Sequence, residues 1–264
     1  MNEIESLIQA LNEKKKLVAM LAPSFPIVFS YPSIITMLRK LGFSYIVEVS
    51  LGAEKTNAEL AELLKNNPEN RYITSPCPTI VRMVRQQMPQ YAKYFTHDVD
   101  SPMVATAKIV KEKYPDCQPV FIGPCIVKKL EAKEDNPDLN ILVVTYTEIA
   151  QVFTRFNIQP EPGIQDQFDL GEKGMTKIYP LDGGLSHSSG LMDRFQPGEI
   201  QMVSGWENCI EAIKNFDVNP KIRLLDILFC EGGCIGGPGI KSALNTEERK
   251  KKILDYASVS PAAI

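Results

Sequence analysis

Four of the six cysteines in this chain follow segments that are predicted to be β-strands. Cys77 lies in TSPCP at 74–78, Cys125 ends GPC at 123–125, and Cys230 and Cys234 bound CEGGC at 230–234. In open α/β sheets, ligands bind at the edge formed by the carboxyl ends of the strands. The sequence therefore predicts that thiols from distant segments meet at one ligand-binding edge.

The neighbours of these cysteines suit metal binding. Pro78 fits the first position of a helix, so Cys77 should stand at a helix N-terminus, where partial positive charge favours a thiolate. Cys125 precedes a second predicted helix, and the glycines around Cys230 and Cys234 allow the backbone to approach a bulky group. Four cysteines are also the ligand set of a 4Fe–4S cluster.

Other readings of these cysteines stay open at this point. A buried cysteine often serves as a small apolar residue, so packing in an ordinary α/β domain is one alternative. A zinc ion is a second, although zinc sites favour closely spaced pairs and Cys230 with Cys234 is the one pair near that spacing. Disulfides are rare in a reducing compartment.

Lys128 follows Cys125 by three residues, at the start of the predicted helix 126–132. A cation is unfavourable at a helix N-terminus, so its position suggests an anionic ligand nearby. Glu131 lies one turn further and is expected to pair with Lys128. Cys117 and Cys209 are expected to be structural, and His97 and His187 lack the spacing of paired metal ligands.

Short apolar runs alternate with helical patterns along the chain, which predicts βαβ units and parallel sheets. A capping box at 56–59 is expected to start the helix 58–66. The further predicted helices are 79–88, 102–113, 126–132 and 148–153. The predicted strands are 17–22, 45–50, 71–75, 119–122, 141–145, 177–180, 200–204 and 223–229.

The expected fold is α/β with two lobes, each a roughly four-stranded, mainly parallel sheet flanked by helices. The first lobe is predicted to comprise 17–115 and 223–264, the second 116–222, and residues 1–16 a polar, helical lead-in. The cluster site is expected in the cleft between the lobes.

Composition excludes several classes of protein. The net charge of −3 argues against a nucleic-acid partner, and no apolar run reaches the length of about 18 residues that a membrane span needs. Residues 1–16 are too polar for a signal peptide. We therefore expect a cytoplasmic protein with reduced thiols and no membrane partner.

The cysteine segments resemble the three signatures of the iron-only (FeFe) hydrogenase active-site domain, in the same order. TSPCP at 74–78 resembles Thr-Ser-Cys-Cys-Pro, and 123–131 resembles Met-Pro-Cys-x-x-Lys-x-x-Glu. Residues 226–239 resemble Glu-x-x-x-Cys-x-x-Gly-Cys-x-x-Gly-Gly-Gly. Weaker similarities occur at 22–24, 52–54 and 183–184, so the resemblance extends over about 17–245.

The resemblance implies roles for individual residues. Cys77, Cys125, Cys230 and Cys234 would ligate a 4Fe–4S cubane, and Cys234 would bridge to a two-iron subsite with carbonyl, cyanide and dithiolate ligands. Lys128 would donate to one cyanide of this H-cluster. The pocket around the subsite would further be lined by Ala22, Pro23, Ser24, Gly123 and Pro124. The implied reaction is the reversible splitting of H2 into protons and electrons.

Three departures from the family pattern affect catalysis. Pro76 replaces the cysteine that relays protons, Gly123 replaces a methionine, and Asp226 replaces a glutamate. Glu59 and Glu62 resemble the relay glutamates, but Pro76 interrupts the relay at its first step. We therefore expect slow turnover, as in the hydrogen-sensing branch of this family.

The resemblance also implies partners. No ferredoxin-like cysteine segments precede the domain in this sequence, so an external electron carrier or further cluster or sensor domains are expected. Assembly of the two-iron subsite would require dedicated maturation proteins. The alternative function is a non-catalytic 4Fe–4S scaffold, similar to the hydrogenase-like proteins of iron–sulfur assembly.

Overall fold

A computed structural model describes residues 2–161, 163, 166–171 and 174–258. Within this part of the chain, seven strands form two parallel sheets, one with the order β2-β1-β4-β5 and one with the order β3-β7-β6. The strands are β1 (Leu17–Leu21), β2 (Tyr45–Glu48), β3 (Tyr72–Ile73), β4 (Gln118–Gly123), β5 (Leu142–Thr145), β6 (Ile200–Ser204) and β7 (Leu224–Leu228).

The central strands are largely apolar because helices cover both faces of the sheets. Every residue of β1 and of β7 is buried, which is the pattern expected for strands inside a parallel sheet. The predicted α/β class with parallel sheets is confirmed, although the second sheet has three strands in the described residues.

Helices connect the strands and pack against the sheets. The predicted helix 102–113 is observed with the same bounds, and Pro78 occupies the first helical position after Cys77, as predicted. The helices are α1 (Glu3–Asn12), α2 (Ser33–Leu41), α3 (Ser50–Asn66), α4 (Pro78–Gln87), α5 (Pro102–Lys113), α6 (Lys128–Leu130), α7 (Tyr146–Arg155), α8 (Gly184–Ser188), α9 (Trp206–Val218) and α10 (Thr246–Ser258).

Two local predictions are wrong. The segment 177–180 is not a strand: Met175–Ile178 forms a 3-10 helix, whose turn continues when Tyr179 N donates to Thr176 O. A short apolar run does not distinguish a strand from a buried turn by its periodicity. The capping box at 56–59 lies inside α3, where the Thr56 hydroxyl donates to Gly52 O at 3.0 Å.

The sheets also group the strands differently from the prediction. After β2 the chain leaves the first sheet to form β3, which pairs with β7, and it returns through α5 to place β4 beside β1. Strands that are neighbours in sequence are therefore split between the sheets, because order along the chain does not determine order in the sheet. The first lobe was predicted to extend to residue 264, but residues 259–264 lie outside the part of the chain that the structure describes.

The strand ends explain where a site can form. Strands β1 and β4 of the first sheet end at Leu21 and Gly123, and β3 and β7 of the second end at Ile73 and Leu228. The segments that carry the four cysteines and 22–24 follow these ends directly.

Among the described helices, none is both long enough and apolar enough to cross a membrane.

Candidate functional site

A cavity of about 80 Å³ lies where the carboxyl ends of the two sheets meet. Most residues predicted to bind the cofactor lie in its wall, although they come from four separate loops. The predicted residues that line it are Ala22, Pro23, Ser24, Pro76, Pro124, Cys125, Lys128 and Cys234. The rest of the wall is Val49, Ala53, Pro102, Met103, Phe121, Tyr179, Pro180 and Leu228, so the lining is predominantly apolar.

Cys77 and Cys230 lie outside this lining but close to the other two cysteines. Burial raises the pKa of Cys125, and the neighbouring Cys77 raises it further. Burial raises the pKa of Cys230 to about 12, again with contributions from Cys77 and Cys125. Burial raises the pKa of Cys234 well above its usual value, and the other three thiols act in the same direction. The four cysteines therefore share one buried environment.

This result corrects one expectation about the thiols. Cys125 precedes α6, and hydrogen bonds from the backbone at Val127 and Lys128 lower its pKa, but burial and repulsion from Cys77 outweigh that effect. The pKa values of Cys230 and Cys234, which lie in the glycine-rich loop, are raised by burial and by the neighbouring thiols. Without a cation these three thiols are protonated at neutral pH. A thiol that coordinates a metal is deprotonated, so binding of a cationic group would remove the repulsion.

The donor set fits an iron–sulfur cluster better than one metal ion. Within the described residues, no three His, Cys, Asp or Glu side chains are grouped closely enough to hold a single ion. Zinc requires its ligands within about 2.3 Å of one centre, whereas each cysteine of a 4Fe–4S cluster binds a different iron. Four neighbouring, partly buried thiols, two of which line the cavity, match the second arrangement.

Lys128 is buried, with 8% of its surface exposed, and three contacts hold its amine at the cavity. Its Nζ lies 2.6 Å from Glu131 Oε2, as the sequence predicted, and it donates to Ser101 Oγ at 2.9 Å and to Pro76 O at 3.2 Å. The ion pair balances the charge of the buried amine. Ser101, the N-cap of α5, was not anticipated from the sequence.

Ser24 and Ala22 are positioned by Tyr146, the first residue after β5. Tyr146 is fully buried, and its hydroxyl donates to Ala22 O at 2.7 Å and lies 2.8 Å from Ser24 Oγ. Because a phenol has one hydrogen, Ser24 then donates to Tyr146. Its place directly after a strand is the signal by which Tyr146 could have been found.

Gly123 contributes space rather than a side chain. A Cβ at this position would lie 2.5 Å from the ring of Phe121 and 3.3 Å from Ala22 Cβ. Phe121 itself lines the cavity. The ring of Phe121 thus occupies the volume beside Gly123, where the family signature has a methionine.

The residues that resemble a proton relay lie outside the cavity wall. Glu59 Oε2 accepts from Asp100 N at 3.0 Å, and Glu62 lies on α3 away from the cavity. Pro76 itself lines the cavity and has neither a thiol nor an amide hydrogen.

The loop with Cys230 and Cys234 depends on glycine. Gly232 and Gly233 have φ values of +70° and +94°, a region that other residues rarely adopt. A Cβ on Gly233 would lie 2.5 Å from Pro180 O and 2.8 Å from Asp182 N. The glycines therefore let this loop lie directly against the segment that carries Tyr179 and Pro180.

The remaining cysteines and histidines behave as expected for structural residues. Cys209 is fully buried in the core around the second sheet, and Cys117 is buried beside the first. His97 Nε2 lies 2.8 Å from Ala92 O on the surface, and His187 is partly exposed on α8, outside the cavity lining.

Comparison with known proteins identifies the family. The family model for the C-terminal domain of the iron-only hydrogenase large subunit matches residues 15–238. Iron hydrogenase 1 of Clostridium pasteurianum is 25% identical over 258 residues, covering 78% of this chain and 45% of that protein. The cytosolic Fe-S cluster assembly factor NAR1 of Encephalitozoon cuniculi is 26% identical over 195 residues, covering 64% of this chain and 52% of that protein.

The fold comparison agrees with the family match. A variant of the FeFe-hydrogenase HydA1 from Chlamydomonas reinhardtii superposes with a TM-score of 0.74 at 18% identity, covering 99% of this chain and 91% of that one. The chain spans about half the length of the curated relatives that it matches. With a family match over most of its residues, the chain belongs to the family formed by the C-terminal domain of the iron-only hydrogenase large subunit.

Proposed function

We propose that this chain is an H-cluster domain that oxidises H2 and reduces protons reversibly at a low rate and serves to sense H2. The single observation that carries this proposal is the shared cavity, which brings Cys125 and Cys234 together with Lys128. A scaffold for a cubane alone needs thiols but has no need of a buried amine beside an apolar cavity.

In this proposal Cys77, Cys125, Cys230 and Cys234 ligate the 4Fe–4S cluster. The two-iron subsite, with carbonyl, cyanide and dithiolate ligands, would occupy the cavity beside Cys234 and supply the chemistry H2 ⇌ 2H⁺ + 2e⁻. Lys128 would donate from one side by giving up its 3.2 Å hydrogen bond to Pro76 O, and Ala22, Pro23, Ser24 and Pro124 would exclude water from the cavity. The wall is largely apolar and suits a small apolar substrate.

Slow turnover follows from Pro76. Its ring lines the cavity where a proton-transferring group would have to stand, and its carbonyl accepts from Lys128. General acid–base catalysis contributes about 10²- to 10⁴-fold, so the loss of that group would reduce the rate by this order. Glu59 and Glu62 would form the outer part of a proton relay whose inner step is missing. Slow turnover of H2 would suit a site that detects H2 rather than consumes it.

The proposal implies external partners. Electrons would pass to an external carrier or to further cluster or sensor domains, and maturation proteins would deliver the two-iron subsite. Membrane and nucleic-acid partners are not part of the proposal. The six cysteines are free thiols, which supports a reducing, cytoplasmic location.

A second candidate function is a non-catalytic iron–sulfur scaffold. The observation that favours it is the similarity to a protein named as a cytosolic Fe-S cluster assembly factor. Pro76 is equally compatible with a protein that does not transfer protons. Under this alternative the four cysteines hold a cubane, and Lys128 has a structural role.

Anaerobic maturation followed by infrared spectroscopy separates the two functions. The chain would be produced with and without the FeFe-hydrogenase maturation proteins, and its iron content would be measured in parallel. We expect carbonyl and cyanide stretching bands after maturation alone. A full cubane without these bands would reject the hydrogenase proposal in favour of the scaffold.

A further inference from the structure

Strand β6 forms an edge of the second sheet that no described segment of the chain covers. Leu224 N of β7 donates to Glu199 O at 3.0 Å, so residues 199, 201 and 203 direct their backbone groups toward β7. In a parallel pair the intervening residues direct theirs away from the partner strand. The amide and carbonyl of Met202 and the amide of Ser204 therefore point to the free edge.

The edges at β2 and β3 are covered by other parts of the chain. Beside β2, Glu48 N donates to Leu170 O at 2.9 Å, and beside β3, Thr96 N donates to Ile73 O at 3.1 Å. Natural proteins cover an edge or protect it with charges and prolines, because an exposed edge can pair with another chain. The sequence of β6, IQMVS at 200–204, contains neither a charge nor a proline. This edge is therefore able to accept a further strand.

A groove of about 590 Å³ runs along the edge of β6. Its lining includes the consecutive residues 201–204. Because successive side chains alternate between the two faces of a sheet, a groove that touches four residues in a row follows the edge of the strand rather than one face. The opposite side is one face of α9, which contributes residues at helical spacing: Asn208, Glu211, Ala212 and Asn215.

The groove is acidic. Its charged side chains are Asp182, Glu211 and Glu231, which are all exposed, and no lysine or arginine lies in its lining. None of the three forms an ion pair in the part of the chain that the structure describes. A surface with charges of one sign attracts a partner of the opposite sign. A second copy of this chain is disfavoured, because pairing of β6 with itself would bring two sets of carboxylates together.

We propose that the β6 edge binds an extended, basic segment of a partner protein as an additional strand. The partner's backbone would pair with Met202 and Ser204, and its lysine or arginine side chains would contact the carboxylates of the groove. In this mode of recognition main-chain hydrogen bonds supply affinity, and alternate side chains supply specificity. Because Glu231 follows Cys230 directly, the bound partner would lie beside one predicted cluster ligand. Binding of this segment requires neither the cofactor nor turnover of H2.

The test uses a fluorescently labelled peptide of alternating lysine and valine, titrated with the full chain and followed by fluorescence anisotropy. Two peptides of the same length are controls. The first alternates glutamate and valine, and the second is the lysine–valine peptide with N-methyl groups on the amides that would pair with β6. Sedimentation velocity reports the oligomeric state of the chain without peptide.

We expect the lysine–valine peptide to bind about tenfold more tightly than either control and to weaken as salt is added. Glu211→Lys should weaken binding about tenfold. Glu112→Lys makes the same change of net charge at an exposed position of α5 outside the groove, so it should bind as the wild type does. Met202→Pro should also weaken binding, because it removes an amide at the free edge and no hydrogen bond to β7. Circular dichroism would verify that each variant is folded.

Three results would overturn the proposal. Equal affinity for the N-methylated peptide would show that charge alone attracts the peptide and that no strand is added. Equal affinities in Glu211→Lys and Glu112→Lys would show that the peptide does not occupy the groove. A dimer that forms without peptide and is lost in Met202→Pro would assign the edge to a second copy of this chain.

Discussion

The two walls of the cavity satisfy their polar groups in different ways. On the wall built after β1 and β4, Ser24 and Lys128 are bonded to other residues of the chain. On the wall built by the loops around Tyr179 and Cys234, a phenol has no partner in the described residues, and the thiol lies among three other thiols. The Ser24 hydroxyl and the Lys128 amine of the first wall are therefore satisfied within the protein. The thiols that line the cavity, Cys125 on the first wall and Cys234 on the second, would be engaged by a bound group.

This difference separates stability from cofactor binding. Changes to the first wall remove hydrogen bonds and ion pairs that the metal-free protein already has, so they should lower its stability. Changes to the polar groups of the second wall should affect what the cavity binds and leave the metal-free fold largely intact. Each of the following variants tests this division.

The largest effect is expected from Cys234→Ser, on the second wall. Serine is a poor ligand for iron, and Cys234 would bind both the cubane and the two-iron subsite. We expect carbonyl and cyanide bands to be lost entirely and the iron content after anaerobic reconstitution to fall sharply. Cys117→Ser, a change at a buried cysteine outside the cavity, should retain both; equal losses in the two variants would contradict a ligand role for Cys234.

Pro76→Cys is expected to raise the rate of H2 turnover in matured protein by about 10²- to 10⁴-fold, because it restores a proton-transferring group to the cavity. The rate would be measured with a redox dye, with Pro76→Ala as the control that removes the ring without adding a thiol. A similar rise in both variants would mean that access to the cavity, rather than proton transfer, limits the rate.

Glu131→Gln tests the first wall. The Lys128–Glu131 pair is about nine-tenths buried, and loss of the carboxylate leaves the amine with Ser101 and Pro76 O alone. We expect the metal-free protein to lose about 3 kcal/mol in the free energy of denaturant unfolding. Glu5→Gln breaks the exposed pair with Arg155 and should cost less than about 1 kcal/mol. Equal losses of stability in Glu131→Gln and Glu5→Gln would contradict the distinction between a buried and an exposed ion pair.

Gly233→Ala measures how closely the second wall's loops must approach each other. Gly233 has φ +94° and ψ −157°, a region that is essentially restricted to glycine and costs other residues about 1–3 kcal/mol, and an added Cβ would collide with Pro180 O. Gly190 has φ +68° in the left-handed region and no atom within 4 Å of an added Cβ, so Gly190→Ala measures the cost of a left-handed alanine without a collision. Gly233→Ala should be the more destabilising by about 1–3 kcal/mol in thermal or denaturant unfolding; a smaller loss than in Gly190→Ala would show that the loop can move aside.

Much of the fold follows from local patterns. Runs such as 17–22 and 223–229 are largely apolar because their strands are buried on both faces, and the observed strands overlap them. The strand predicted at 177–180 is wrong because Ile178 and Tyr179 are buried in a turn, and burial alone does not determine backbone geometry. The capping box at 56–59 is wrong because α3 begins earlier, where Gly52 allows close packing on α5.

The division of strands between the sheets could not be predicted from chain order. Nothing in the sequences of β3 or β7 states that these strands pair, since both are short and would suit either sheet. The pairing of β3 with β7 joins segments that are distant in the chain, whereas β4, the strand that follows β3, pairs with β1 in the first sheet. The observed sheets therefore group the strands differently from the prediction.

By itself the sequence predicted the four cysteines as a donor set and placed them after strand ends, because thiols, glycines and prolines at turns have restricted chemistry and backbone geometry. It also indicated the pairing of Lys128 with Glu131, which depends on helical spacing alone. The tertiary structure decided which side chains pack around those thiols. Tyr146 and Tyr179 are distant from the cysteine motifs in sequence. Long-range packing bonds the Tyr146 hydroxyl to Ala22 O behind the lining, whereas Tyr179 forms part of the lining itself.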